Sequence, residues 1–147
     1  MLLIRNIWLD TKVILRLARQ FIVAELEPLN ISRAEGDILF LLLTGSNDLQ
    51  QEQIADLLDI GKASVSRTIS SLESKGFVVR TRQDTDKRAY IISLTKKALV
   101  IGAEVTGVYD RLYLLIRKGV ANEKFMSIES LLTQITDNLK SVSLDNE

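Results

Sequence analysis

Between Leu49 and Leu94 the chain reads LQQEQIADLLDIGKASVSRTISSLESKGFVVRTRQDTDKRAYIISL. A short apolar helix is followed by a tight turn, a second helix, and two short strands around a charged loop. That order of elements is a winged helix-turn-helix, and few other arrangements accommodate it. The charge agrees with the shape. Residues 62 to 97 carry nine basic side chains against three acidic ones, a surplus of six, while the whole chain carries 19 of each sign. A neutral protein with one locally positive segment is suited to a polyanion without being generally adhesive.

Around this segment, helical periodicity organises the rest. Ile4, Ile7, Trp8, Leu15, Ala18, Ile22 and Leu26 recur at helical spacing, and Pro28 closes that first helix. Ser32-Arg-Ala-Glu35 reads as a capping box opening a second, largely apolar helix through Leu43. Thr44 to Asp48 reads as a loop. A third helix from about Gln50 to Leu58 is expected to bury Ile54, Leu57 and Leu58, with Asp59-Ile-Gly61 as the turn. A fourth helix runs from Lys62 to Lys75 and stops at Gly76. Phe77–Arg82 and Ala89–Leu94 are the expected strands. Thr95 is a candidate cap for a long fifth helix to about Lys118, and a sixth covers Asn122 to about Val142. The expected fold is mainly α with a small β-hairpin wing. Its parts are an N-terminal dimerisation helix (1–30), a winged helix-turn-helix (31–97) and C-terminal dimerisation helices (98–147).

On the fourth helix, Val65, Ile69 and Leu72 form an inward stripe at i, i+4 and i+7. Ala63, Arg67, Ser70 and Ser74 then face outward, flanked by Ser64, Ser66 and Ser71. Small residues let a helix sit deep in a major groove about 12 Å wide, and an arginine fork matches the O6 and N7 of guanine. Lys62, Ala63, Ser64, Ser66, Arg67, Ser70 and Ser71 are therefore the candidate readers of double-stranded DNA. The plainer interpretation is a solvated polar face. In the wing, Lys87 and Arg88 at the hairpin tip suit a narrow minor groove, with Asp86 placed to hold the Arg88 guanidinium extended. Arg80 and Arg82 alternate onto one strand face and suit phosphate contacts. A solvent-exposed charged turn is the alternative for the tip.

These residues resemble the multiple-antibiotic-resistance regulator (MarR) family of prokaryotic transcription factors. The resemblance rests on Ser64-Val-Ser-Arg67-Thr-Ile-Ser-Ser-Leu72-Glu-Ser-Lys-Gly76-Phe, then Asp86-Lys-Arg88-Ala, then Ser93-Leu-Thr95. It extends to Leu29-Asn-Ile-Ser32 and to the long helices at both ends. It implies a homodimer with interlocked terminal helices and two recognition helices on successive major grooves of a pseudo-palindromic operator. It also implies a repressor, often of its own operon, released by a small phenolic or other anionic effector. The wing motif's aspartate and arginine match Asp86 and Arg88. Two departures stand out. Gln50-Gln51 opens the first motif helix where Thr or Ser is usual, and the cysteine of the peroxide-sensing branch is missing.

Composition narrows the alternatives. Cysteine and histidine are absent, which removes disulfides, thiol sensing and Cys/His zinc sites. No cofactor or metal is expected. Catalysis is disfavoured because the common acid–base and nucleophile partners are missing, and Ser64 and Ser66 have no base within helical reach. No glycine-rich phosphate loop appears. A winged helix used for protein contact alone would favour an apolar recognition face. Charges interrupt the apolar N-terminus, and no window is long enough to span a bilayer, so no membrane association and a cytoplasmic location are expected. With 46% hydrophobic residues, the terminal helices carry more apolar surface than one small core needs, and this favours a homodimer over helices packed within one chain. An anionic effector needs a cation beside apolar surface. Arg16 and Arg19, near Trp8 and Phe21, are the candidates, unless they pair with Glu25 or Glu35 or face solvent.

Overall fold

The computed structural model describes residues 2–45, 48–83, 85 and 89–144, with only the backbone of Leu2, Ser143 and Leu144. The wing-tip residues Asp86, Lys87 and Arg88 lie outside the described residues. The elements in chain order are α1 (Leu2–Leu26), a 3-10 turn (Glu27–Leu29), α2 (Arg33–Thr44), β1 (Asp48–Gln50), α3 (Gln51–Leu58), α4 (Lys62–Ser74), β2 (Val78–Arg82), β3 (Tyr90–Leu94), α5 (Lys96–Arg117) and α6 (Asn122–Leu144). The fold class is the expected one, mainly helical with a small sheet.

Local chemistry sets the boundaries. Pro28 falls in the 3-10 turn, and Asn30 then adopts a left-handed conformation (φ 55°), its N–H donating to the Glu27 carbonyl at 2.9 Å. The capping box forms as expected: the Glu35 N–H donates to Ser32 Oγ at 3.1 Å, and the Ser32 N–H donates to Glu35 Oε1 at 3.0 Å. α4 ends where Gly76 turns left-handed (φ 80°), so that the Phe77 N–H reaches back to the Leu72 carbonyl at 2.9 Å. Thr95 caps α5 by accepting from the Ala98 N–H at 3.3 Å, and its hydroxyl donates to the Gly76 carbonyl at 2.6 Å. The end of α4 and the start of α5 are thereby tied together.

Two expectations need correction. The Thr44–Asp48 loop gives way early to a strand: β1 starts at Asp48 and pairs antiparallel with β3, Leu49 opposite Ile92. The sheet is thus three-stranded, in the order β1-β3-β2, with Arg80 opposite Ile92 and Arg82 opposite Tyr90. On α3, Leu57 is exposed. The inward stripe there is Ile54, Ala55 and Leu58, and Leu57 lies roughly 100° away from its centre on the helix wheel.

By contacts the chain divides into two compact units, Met1–Leu112 and Tyr113–Glu147. The core of the first joins Leu26, Ile38, Leu39, Leu42, Ile54, Val65, Ile69, Leu72, Val78, Ile92 and Val105. From α5, Tyr109 stacks on Phe40 of α2 (centroids 4.0 Å apart, 12° between planes) and donates to Asp37 at 2.7 Å. Burial and that carboxylate push the phenol's pKa well above its ordinary value. Within the second unit, Tyr113 and Phe125 meet edge to face at 5.4 Å, and the Arg117 guanidinium lies near both rings. Ile128, Leu131, Leu132, Ile135 and Leu139 along α6 are exposed. No helix among the described residues is long and apolar enough to cross a membrane.

Candidate nucleic-acid interface

The orientation of α4 is set by its inner face. Val65, Ile69 and Leu72 are fully buried, which fixes the rotation of α4 about its own axis. α3 leads into it through a turn in which Asp59 takes φ 51°, a left-handed conformation that aspartate tolerates better than most residues. The Gln50-Gln51 start of α3 is resolved by a substitute cap, in which the Gln50 N–H donates to Gln53 Oε1 at 2.8 Å.

The outward face of α4 carries Ala63, Arg67, Ser70 and Ser74 exposed, with Ser64, Ser66 and Ser71 half-buried at its edges. Arg67 makes no hydrogen bond or ion pair with another described residue, which leaves its guanidinium free to bind. Ser71 differs: its hydroxyl turns inward and donates to Glu35 Oε2 at 3.2 Å. It helps hold α4 against α2 and is not presented outward.

Glu35 is the organising acid, which the sequence offered as a cap and as a possible partner of Arg16 or Arg19. Its side chain is nearly inaccessible, yet it pairs with Lys75 at 2.9 Å, and Lys75 also donates to the Asn30 carbonyl at 2.8 Å. Burial alone would raise its pKa. Hydrogen bonds from Lys75, the Ser32 N–H and the Ser32 hydroxyl, with the charge of Lys75, outweigh that and hold it below the ordinary value. One carboxylate therefore joins the α1–α2 connection to the far end of the recognition helix.

The seven cations of the basic segment that lie among the described residues differ in their surroundings. Lys75 is used on Glu35. Lys97 donates to the Lys75 carbonyl at 2.6 Å and sits 4.8 Å from the Phe77 ring centre. Arg80 is half-buried, and its Nη2 donates to the Ser66 carbonyl at 2.6 Å. Lys62 is fully exposed and pairs with Glu52 at 3.0 Å, whose hydrogen bond and charge raise its pKa. Arg82 is exposed at the edge of the wing, donating to the Tyr90 hydroxyl at 3.1 and 3.3 Å. Arg67 and Lys96 are exposed. The solvent-facing charge on the described residues is thus smaller than the count of basic residues implies. Tyr90, which orients Arg82, was not singled out in the sequence; the only signal is its place opposite Arg82 in the strand register.

Arg16 and Arg19 lie exposed along an open groove of about 640 Å³ on α1 and the turn after it, lined also by Lys12, Leu15, Gln20, Val23, Ala24 and one acid, Glu27. The two acids that the sequence offered as their partners are engaged elsewhere: Glu25 pairs with Arg111 at 3.2 Å, and Glu35 pairs with Lys75. No cluster of acidic side chains that could hold a metal occurs among the described residues.

The MarR family model matches residues 29–89, from the turn after α1 to the base of β3. Solved structures extend the likeness on both sides. A MarR transcriptional regulator from Methanosarcina mazei Go1 is 22% identical, with a TM-score of 0.82, over 94% of this chain and 99% of that one. A MarR family transcriptional regulator from Listeria monocytogenes, solved with a 26mer DNA, is 20% identical (TM-score 0.82; 88% of this chain, 86% of that one). The S. aureus MepR–DNA complex is 22% identical (TM-score 0.78; 87% of this chain, 94% of that one). The match to the MarR family thus spans the winged helix, residues 29–89, and the fold is shared with solved MarR regulators along most of the chain.

Proposed function

We propose that this protein is a transcriptional regulator that binds duplex DNA sequence-specifically, as a homodimer on a pseudo-palindromic operator. The observation that carries this is Arg67: an unpaired, exposed guanidinium on a helix face of small hydroxylated residues, whose opposite face is locked in the core. Ser64, Ser66 and Ser70 flank it, Ala63 and Lys62 sit at the helix N-terminus, and backbone N–H groups there favour phosphate. Arg82 on the wing edge, with Asp86, Lys87 and Arg88 at the tip, is assigned to the adjoining groove and backbone. Two copies supply the symmetry that an inverted repeat demands. Exposed Ile4, Ile7, Trp8 and Ile14 on α1, and the apolar face of α6, are the surfaces assigned to dimerisation. This divides the chain by role into 1–30, 31–97 and 98–147.

Fluorescence anisotropy of a labelled duplex, selected by the protein from a randomised pool, tests this at several salt concentrations. Affinity for the duplex is expected to fall steeply with salt as counterions are released. Arg67→Ala is expected to cost about 1–3 kcal/mol on the selected duplex and little on a scrambled one. Absent or salt-independent binding to every duplex would instead support a winged helix used for protein contact.

Regulation is assigned to repression relieved by a small anionic or phenolic effector. The α1 groove supports that part of the reading, because Arg16 and Arg19 stand unpaired beside Leu15 and Val23. Titrating salicylate into the protein–DNA complex tests it: release is expected from wild type and not from Arg19→Ala.

A further inference from the structure

We propose that Arg80 is a positioning residue that sets the aim of Arg67 by stapling the wing to the recognition helix, and that it does not contact phosphate. This rests on the DNA-binding reading above and deepens it. Arg80 reaches α4 at two points. Its backbone N–H donates to Glu73 Oε2 at 3.3 Å, and its guanidinium Nη2 donates to the Ser66 carbonyl at 2.6 Å and to Ser66 Oγ at 3.5 Å. Ser66 and Glu73 are seven residues apart, so they lie on one helix face about 10 Å apart along the axis. One strand residue therefore spans two turns of α4.

The Ser66 carbonyl already belongs to the hydrogen-bond ladder of the helix. A carbonyl has two lone pairs, and the arginine takes the second. That bond is charge-assisted and short, and it acts on the peptide unit that leads directly into Arg67. The inner end of the guanidinium is also held away from water. Arg80 Nε is buried with no hydrogen-bond partner, and the guanidinium carbon lies 5.9 Å from the Tyr90 ring centre. Swinging the side chain out to a phosphate would break the 2.6 Å bond and leave the Ser66 turn without its brace. Arg82, two residues on and exposed, has no such tie to α4. The two arginines that share a strand face thus divide the work: Arg80 orients the reader, and Arg82 meets the ligand.

The test uses the full chain with two probes, a duplex selected from a randomised pool by wild type and a scrambled duplex of equal length. Affinities are measured across a series of KCl concentrations. Arg80→Ala is expected to lose about tenfold or more on the selected duplex while keeping its affinity for the scrambled one, with the salt slope unchanged. In an Arg67→Ala background the same change is expected to add less than about twofold, because its effect runs through Arg67. Glu73→Ala is the second variant should Arg80→Ala fold poorly. It removes an acid, which on electrostatics alone would tighten binding, yet it is expected to reduce discrimination. Equal loss on both duplexes with a slope shallower by about one would make Arg80 a phosphate contact and overturn the proposal. Additive losses in the double variant, or improved discrimination in Glu73→Ala, would overturn it as well. A wild type that binds neither duplex would overturn the DNA-binding reading itself, and this inference with it.

Discussion

Helices α4 and α1 carry apolar residues at the same helical spacing, and only one of them is covered. In α4 the stripe of Val65, Ile69 and Leu72 is fully buried. In α1, Ile4 is 61% exposed and Trp8 is 66% exposed, and burial is confined to Ile22 and Leu26 near the C-terminal end. Periodicity identifies which side of a helix is apolar but carries no information about what lies over it. α4 finds its cover within the chain, from α2, α3 and β2. A helix that leaves its apolar side to water in one chain is stable there only if a second surface meets it.

The largest expected effects separate these two cases. Leu72→Ala should cost about 2–5 kcal/mol of stability at every protein concentration, since it empties a site within one chain. Ile14→Glu should leave intrachain packing intact, abolish the concentration dependence of Tm, and shift sedimentation to the mass of one chain. A wild-type Tm that does not change over a hundredfold range of protein concentration, paired with a one-chain mass, would remove dimerisation from the reading and leave the α1 stripe without a role.

The seam where α1 meets the winged helix gives the next contrast. Glu35→Gln keeps the shape but removes the charge that holds Lys75, and should cost about 1–3 kcal/mol at neutral pH. Because the folded carboxylate titrates below its ordinary value of 4.5, its contribution is complete above that pH and lost as pH falls through the lowered value. Urea midpoints of wild type and variant should therefore differ by a steady amount above pH 4.5 and converge as the pH is taken progressively below it. A gap that stays constant as the pH falls would show that the pairing with Lys75 is not the source of the difference. Nearby, a Cβ on Gly36 would stand 2.3 Å from Leu26 Cδ1 and 3.2 Å from the Tyr109 hydroxyl. Leu26 is fully buried and has little room to yield. Gly36→Ala gains helix propensity of about 1 kcal/mol but overpacks this contact, and a net loss of about 1 kcal/mol is expected by thermal melting. A gain in Tm would mean that α1 shifts freely on α2.

Much of this was legible in the sequence because it is local. The α4 stripe, the Ser32–Glu35 capping box, the stop at Gly76 and the Thr95 cap each depend on residues within about one or two turns of one another, and each appears as expected. β1 was not legible, because three residues cannot display an alternating pattern and its pairing with Ile91, Ile92 and Ser93 spans some forty positions. The destinations of the cations were hidden for the same reason. Sequence placed Arg80 and Arg82 on one strand face, yet whether that face meets a helix carbonyl or solvent depends on how β2 packs against α4. The inward turn of Ser71 toward Glu35 is likewise a long-range contact. Basic residues were counted correctly as a segment and overcounted as a surface.

The smallest expected effect tests that last distinction. Lys62 and Glu52 form an ion pair in which both side chains are more than two-thirds exposed, and pairs of that kind contribute little to stability because water and salt screen them. Lys62→Ala should leave the thermal midpoint unchanged. Lys97→Ala is the matched comparison among the fastened cations, since it removes a donor at 2.6 Å from the Lys75 carbonyl and a cation near the Phe77 ring, and the midpoint should fall measurably. On duplex DNA the order reverses. Lys62 stands at the first position of the recognition helix, free to exchange Glu52 for a phosphate, so its loss should make the salt dependence shallower by about one unit of slope. Lys97→Ala should leave that slope as it is. If both variants shift the slope alike, the division between fastening and solvent-facing cations fails, and the segment acts on DNA as an undivided positive surface.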